Sequence, residues 1–307
     1  MNNGEHTDAG RTFESAEMYS TLNNAAEKSY PARIERSDLA PRPIESGGTE
    51  IVLQRHGRYH RSAEDGQIGS LTPEATAAEK EAALSHFNQL LATVPESERS
   101  KVEVLFLASD TQYGGGGRRS LETAEVARQA TMQAFKQQGL PISNILNINP
   151  AHHLHGGEGP RPMASLREPQ MFEKAPDFVQ FLKDKYGNLN LDFWRAFEED
   201  QEHEERLKLG AEGPDDITDR MAYSVEVMAR YARAYHNAKP GHRLVIWAAT
   251  HYDTISPYVK REIFGMAKDT PLAVDYGAGI TIDISRDGRA KTKIAQTSYP
   301  MNLAKTT

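Results

Sequence analysis

Glu50-Ile51-Val52-Leu53-Gln54-Arg55-His56-Gly57 decides how this chain is read. Ile51-Val52-Leu53 is a short β-branched and apolar run, too brief for a helix, and it enters a glycine-containing loop. Such a run reads as a strand buried on both faces. Arg55 and His56 then stand at its carboxyl end. In α/β sheets that end faces the ligand crevice, so a guanidinium and an imidazole here are placed for an anion.

Working outward, Leu71-Thr72-Pro73-Glu74 opens a helix, with Thr72 able to cap it and Pro73 suited to its first turn. Ala75, Ala78, Ala82, Phe87, Leu90 and Leu91 form its apolar face. Val102–Leu107 is a second buried strand, followed by the Gly114–Gly117 loop and a helix from about Arg119 to Gln138. That loop is not a phosphate-binding P-loop, because no Gly-Lys-Ser/Thr follows it. Ile142–Ile148 reads as another strand.

Between Pro150 and Asp216 the chain changes character. Helices are expected over Pro176–Tyr186 and Leu191–Leu209, the second with an acidic run, Glu198–Glu205, that reads as a solvated face. The segment reads as an insertion, or cap, over the carboxyl edge of the strands. A helix from Thr218 to His236, the strand Leu244–Trp247 and a helix near Ile255–Phe264 follow. Gly279–Ile284 and Lys291–Thr297 close the chain as an antiparallel edge hairpin. Strands alternating with helices predict an α/β fold: a three-layer α/β/α sandwich on a mixed, mostly parallel sheet. No internal repeat is visible.

The chain has 307 residues, 38% hydrophobic and 26% charged, enough for one large domain with an extension. Residues 1–48 are polar and end in Ala40-Pro41-Arg42-Pro43 and Gly47-Gly48. Apart from a weakly amphipathic stretch near Phe13–Leu22, nothing there is expected to bury much apolar surface. This extension reads as disordered or as an arm laid on another surface, before a domain over 49–307. The 36 basic and 43 acidic residues leave a net charge of −7, which argues against a broad nucleic-acid or anionic-membrane surface. There is no cysteine, so disulfides, thiolate metal sites and a thiol nucleophile are excluded. No apolar stretch approaches the ~18 residues that cross a bilayer, and a cytoplasmic location is expected. His152, His153 and His155 lack an accompanying carboxylate–histidine pattern, so no metal site is assigned.

Three strand ends each offer residues suited to phosphate: Arg55 with His56, Arg119 after Ser109-Asp110, and His251 in Ala249-Thr250-His251-Tyr252-Asp253. Thr123 lies one helical turn beyond Arg119 on the same face. On these residues the chain resembles the histidine phosphatase superfamily, in its phosphoglycerate-mutase-like branch. Arg55-His56-Gly57 matches the nucleophile motif, and Leu71-Thr72 the start of the first helix. Arg119-x-x-x-Thr123-Ala124 matches the Arg-Ala-x-x-Thr-Ala segment. Gly213–Arg220 resembles the loop and helix start before the last catalytic strand, and His251 the second catalytic histidine. The likeness runs in order over roughly 50–300.

The resemblance implies a phosphomonoester hydrolase using a covalent phosphohistidine on His56, with no cofactor. The other readings are a phosphoglycerate-mutase-type phosphotransferase and a non-catalytic phosphate- or phosphoprotein-binding module. A neutral imidazole is a competent nucleophile toward phosphorus when its other nitrogen is held by a hydrogen bond. Arg55 and Arg119 can each fork onto two phosphoryl oxygens, and His251 can donate to a third. The general acid implied by a Leu-x-Glu context is Glu168, with Glu158 as rival and Asp110 and Asp253 as further candidates. The sequence departs from the family in three ways. Thr111–Arg118 lengthen the Ser-to-Arg loop, so the arginine is Arg119 or Arg118. Tyr252 stands where a glycine usually follows the second histidine. Arg58-Tyr59-His60-Arg61-Ser62 replaces the mutase residues after Gly57. Arg58, Arg61, Ser62 and Tyr252 are therefore expected to contact a small phosphorylated substrate or phosphoprotein that carries extra negative charge. A homodimer is compatible with all of this.

Overall fold

The computed structural model describes residues 32–63, 67–112, 116–146, 159–266 and 272–303. Strand β2, Thr49–Arg55, is buried along its whole length and lies near the middle of the main sheet. It pairs in parallel with β6, Arg243–Thr250, which pairs in parallel with β3, Val102–Ala108. The short strands β4, Ile145–Leu146, and β5, Arg161–Pro162, both run parallel to β3. On its other side β2 meets antiparallel β8, Gly279–Ile284, then β9, Ala290–Ile294, and β10, Thr297–Met301. The register Leu53↔Ala248 and Arg55↔Thr250 brings Arg55 and the start of the His251 loop to one end of the sheet.

Alternation along the strands sorts side chains into two cores. Ile51, Leu53, Leu105, Leu107 and Ile246 pack with Met221, Val225 and Met228 of helix α7, Pro214–Ala238. Val52, Val104, Phe106 and Trp247 face the other way, against Phe87 and Leu90 of α1, Pro73–Thr93, and Ala130 and Phe135 of α2, Arg119–Gln137. Helices therefore cover both faces of a mostly parallel mixed sheet, the expected three layers. Helix α1 starts where Thr72 accepts a bond from Ala75 N–H at 3.2 Å with Pro73 at its first position.

Between β5 and α7, helices α3 (Met171–Lys174), α4 (Pro176–Tyr186), α5 (Leu191–Glu198) and α6 (His203–Lys208) gather their own core of Met171, Phe178, Leu182, Phe193 and Phe197. The segment sits on the carboxyl ends of the strands. Met163 N–H bonds Ala108 O, Thr250 Oγ1 bonds Leu166 O, and Thr254 Oγ1 bonds Arg167 O at 2.9 Å.

Several expectations need correction. The helix expected over 191–209 is two helices, because Asp200 adopts a left-handed backbone (φ 53°). Aspartate tolerates that conformation, and its carboxylate holds Arg206 Nε at 2.6 Å and Nη2 at 2.9 Å. Nor is the acidic run wholly solvated. Glu198 is 5% exposed and pairs with Lys260, itself 4% exposed, at 2.9 Å, while also accepting from Tyr252 Oη. Among the described residues of the strand expected over 142–148, Ile145–Leu146 are extended and Ile142–Asn144 form a 3-10 turn; 147–158 lie outside the described residues. The helix near 255–264 starts earlier, as α8, Tyr252–Tyr258, and continues as a π-turn, Val259–Phe264. A third strand, β10, follows the expected closing pair.

The polar extension buries more than its composition suggests. Ile34, Leu39 and Ile44 are all buried, and β1, Ala32–Ile34, pairs in parallel with β7, Leu272–Val274. The Phe13–Leu22 stretch lies outside the described residues.

The Glu198–Lys260 pair joins the cap to the π-turn that continues α8. Removing one partner strands a buried charge, so Lys260→Met is expected to cost about 3 kcal/mol in urea unfolding. The double change Glu198→Gln/Lys260→Met should recover most of that loss. Equal stability of Lys260→Met and wild type would contradict this reading of the pair.

Candidate active site

Four basic side chains from three strand ends meet in one buried pocket. Arg55 ends β2 and His56 follows it, Arg119 opens α2 after β3, and His251 follows β6. Their exposures are 8%, 4%, 5% and 1%. The two imidazole centroids lie 5.2 Å apart, edge to face. Independent strands converge here because parallel pairing puts all their carboxyl ends on one side.

His56 Nδ1 lies 2.7 Å from Gly57 O, so it must carry the proton, since a carbonyl oxygen can only accept. That assignment leaves the Nε2 lone pair facing the pocket, where it accepts from Arg119 Nε at 2.9 Å. The loop carrying the imidazole is fixed as well: Gly57 N–H donates to Thr123 Oγ1 at 3.0 Å, and Thr123 Oγ1 donates to Arg119 O at 2.8 Å. A Cβ on Gly57 would sit 3.2 Å from the Glu79 side chain, so glycine suits the close approach of loop and helix α1.

His251 Nε2 lies 3.1 Å from Ser109 Oγ and 3.3 Å from Ser120 Oγ. Ser109 Oγ also accepts Thr111 N–H at 3.2 Å and lies 2.9 Å from Thr111 Oγ1, while Ser120 Oγ donates to Thr250 O at 3.4 Å. His251 Nδ1 makes no hydrogen bond. Arg55 Nε is likewise buried without an acceptor. A buried polar group left unpaired costs about 1–3 kcal/mol, so the Arg55 Nε donor points to an oxyanion as its partner, and His251 is a second donor to it in the tautomer that carries its proton on Nδ1.

The pocket's charge controls its protonation. Burial lowers the His56 pKa well below the ordinary value of 6.5, with Arg119, His251 and Arg55 pushing the same way. Burial, then Arg119 and Arg55, lowers His251 similarly. Both imidazoles are neutral at pH 7. Glu168 bonds Arg119 Nη2, and its Oε2 lies 3.6 Å from His251 Nδ1. Burial raises the Glu168 pKa, outweighing the opposing pull of Arg119. Asp253 is buried too and held well above the usual carboxylate range by burial and by Glu168.

Arg119, not Arg118, enters the pocket: Arg118 Nη2 turns to Gln112 Oε1 at 2.9 Å. Of the candidate acids, Asp110 faces Arg167 at 3.4 Å, and Glu158 lies outside the described residues with His152, His153 and His155. Arg58, Arg61 and Ser62 are exposed. The Arg58 guanidinium lies 5.6 Å from the Tyr276 ring, and Arg61 Nη2 bonds Tyr276 Oη at 3.0 Å. Tyr252 does not point its hydroxyl at the two histidines. It bonds Glu198, with its ring 5.3 Å from the Arg55 guanidinium.

Sequence reasoning missed Tyr276. Its ring lies 3.8 Å from the Arg55 guanidinium and 5.8 Å from the His56 ring centroid, and with Tyr59 it walls the pocket. Burial opposes ionisation of its phenol, but Arg55 and Arg61 outweigh it and lower the pKa. The sequence signal was only Asp275-Tyr276-Gly277, a turn before a strand. Gln54, Glu79 and Ser120, which support Arg55, Gly57 and His251, were also not singled out. Among the described residues no group of three or more His, Asp or Glu is arranged to hold a metal, and no helix is long and apolar enough to cross a membrane.

No family model matches the chain, and no curated protein does. Solved structures do. A phosphoglycerate mutase from Bacillus anthracis is 13% identical, with 82% of this chain and 94% of that chain covered and a TM-score of 0.43. A mycobacterial glucosyl-3-phosphoglycerate phosphatase is 14% identical, covering 80% and 97%, with a TM-score of 0.41. An α-ribazole phosphatase from Shigella flexneri is 16% identical, covering 81% and 96%, with a TM-score of 0.38. All three belong to the superfamily that the motifs resemble. At these identities and TM-scores the likeness alone assigns neither membership nor activity.

The protonation reading has a direct check. The ring-proton resonances of His56 and His251, assigned by their loss in His56→Gln and His251→Gln, should not titrate between pH 8 and about 6.5. A midpoint at or above 6.5 for either would contradict it.

Proposed function

We propose that the protein is a phosphomonoester hydrolase working through a phosphohistidine on His56, and that this chemistry needs no metal. The observation that carries the reading is a neutral imidazole with its Nδ1 proton fixed on Gly57 O and its Nε2 lone pair among Arg55, Arg119 and His251. Neutrality gives nucleophilicity, and the surrounding donors match the charge that builds on the equatorial oxygens.

In the free site Arg119 donates to the atom that must attack and also to Glu168. A phosphate dianion competes for Arg119 and takes its donors. Nε2 is thereby released, and Glu168, losing a cation and gaining an anion as neighbour, is driven further toward its protonated form. The Nε2 pair then attacks phosphorus as the ester P–O bond breaks. The Glu168 proton passes to the departing oxygen. Water attacks phosphorus in the second step and gives its proton to the Glu168 carboxylate. Cleavage of the P–N bond returns the electron pair to Nε2. Arg55, Arg119 and the His251 Nδ1 proton hold the three non-bridging oxygens throughout. Arg58, Arg61 and Tyr276 lie beside this group, where a second negative charge on the substrate would meet them.

Quenching wild type during turnover of p-nitrophenyl phosphate should trap acid-labile, base-stable phosphate that His56→Ala lacks. Label persisting in that variant would overturn the assignment. Glu168→Gln should lower kcat/KM, which reports the phosphorylation step alone, by roughly 10²–10⁴ for alkyl phosphates while sparing that of p-nitrophenyl phosphate, whose leaving group needs no proton. The pH profile carries the same information. kcat/KM falls in acid as His56 protonates through its lowered pKa, and in base as Glu168 ionises through its raised one. An equal fall in kcat/KM for both substrates would remove Glu168 from the acid role.

A further inference from the structure

The loop beside the phosphate pocket, residues 275–278, enters β8 of the main sheet at one end but leaves a strand outside that sheet at the other. It follows β7, a three-residue strand that the sheet does not include. Arg55 Nη1 donates to Val274 O, and Arg55 N–H to Ala278 O at 2.7 Å. Gln54 Nε2 donates to Gly277 O at 3.2 Å, and Gly277 N–H to His56 O at 3.3 Å. Tyr276 supplies the ring beneath Arg55. The backbone and side chain of Arg55, and the backbone of His56, are thus referenced to residues 274–278.

What holds those residues comes largely from the amino-terminal arm. β1 pairs with β7 in the register Ala32↔Leu272, Arg33↔Ala273 and Ile34↔Val274, and Asp275 N–H continues the ladder onto Ile34 O at 3.1 Å. The Arg33 guanidinium pairs with the Asp275 carboxylate. Arg36 bonds Glu79, the carboxylate that accepts Gln54 Nε2 at 2.8 Å, and also Ala78 O at 3.0 Å. Its Nη2 lies 3.5 Å from Tyr276 O. A Cβ on Gly277, where φ is +71°, would fall 1.9 Å from Arg36 Nη2, so this guanidinium rests against the loop backbone itself. From the other side the loop has the Ser256 hydroxyl on Leu272 O at 3.1 Å.

We infer that Arg33 and Arg36 of the arm are positioning residues for phosphate binding, acting through the Val274–Ala278 loop on Arg55 and His56. The inference rests on the phosphate-binding reading of the pocket, not on turnover. It gives the segment before residue 49 a role in the site that composition alone did not suggest.

The test uses the full chain and inorganic phosphate as probe, by calorimetry well below the melting temperature, with p-nitrophenyl phosphate for rates. Arg36→Ala should raise the phosphate Kd roughly fivefold or more and lower kcat/KM in step, the scale expected for coupling through packed neighbours. Arg33→Ala should act in the same direction, and Arg36→Lys, which keeps one contact to Glu79, should recover part of the loss. Leu39→Ala is the control. It removes a buried arm residue packed on the α1 side of the sheet, so it should lower Tm yet leave Kd and kcat/KM at wild-type values. Wild-type Kd in both arginine variants, or an equal loss in Leu39→Ala, overturns the inference. If Arg36→Ala does not fold, Arg36→Lys and Arg33→Ala decide by the same criterion. A wild type that binds phosphate without hydrolysing any ester would sink the hydrolase reading alone. A wild type that binds no phosphate would sink both.

Discussion

A buried pocket crowded with positive charge can persist only if its imidazoles stay neutral. Burial, and after it the neighbouring Arg119 and Arg55 guanidinium groups, lowers the pKa of both His56 and His251. Much else follows from that constraint. Gly57 O fixes the His56 proton on Nδ1, and the Ser109 and Ser120 hydroxyls hold His251 Nε2. Glu168 and Asp253 stay close to the cations although burial pushes both toward the protonated form. An anion entering the pocket would relieve the repulsion between the guanidinium groups and satisfy Arg55 Nε and His251 Nδ1 together.

The sheet makes this concentration affordable. Parallel pairing of β2, β6 and β3 brings residues far apart in the chain to one rim without long loops. Hydrophobic burial on both faces of those strands supplies the stability that the polar rim cannot. The cap then closes over the rim with a core of its own. It delivers Glu168 from a short loop and clamps the π-turn after α8 through Glu198 and Lys260.

The central architecture was legible because its signals are local. Ile51-Val52-Leu53, Thr72-Pro73 and Leu244–Trp247 announce strands and caps through residue type alone, and Arg55, His56, Arg119 and His251 follow those elements directly. What escaped the sequence depends on contacts between distant segments. The arm looked too polar to pack, yet Ile34, Leu39 and Ile44 find places in two cores that the rest of the chain builds. Tyr276 carries no motif, and its meaning comes from lying under Arg55. Glu198 looked like one more solvated carboxylate until Lys260, sixty-two positions later, met it. The break at Asp200 reflects one backbone angle, which helical periodicity does not encode.

The central claim is that one nitrogen, His56 Nε2, faces a phosphoryl group held by Arg55, Arg119 and His251. A crystal structure with vanadate, which adopts the five-coordinate geometry of the transferring phosphoryl group, tests it most directly. The account predicts vanadium bonded to His56 Nε2, with its equatorial oxygens on the two arginines and His251 Nδ1 and an apical oxygen toward Glu168. Vanadate bonded to His251, or bound elsewhere with His56 Nε2 still held by Arg119, would contradict it.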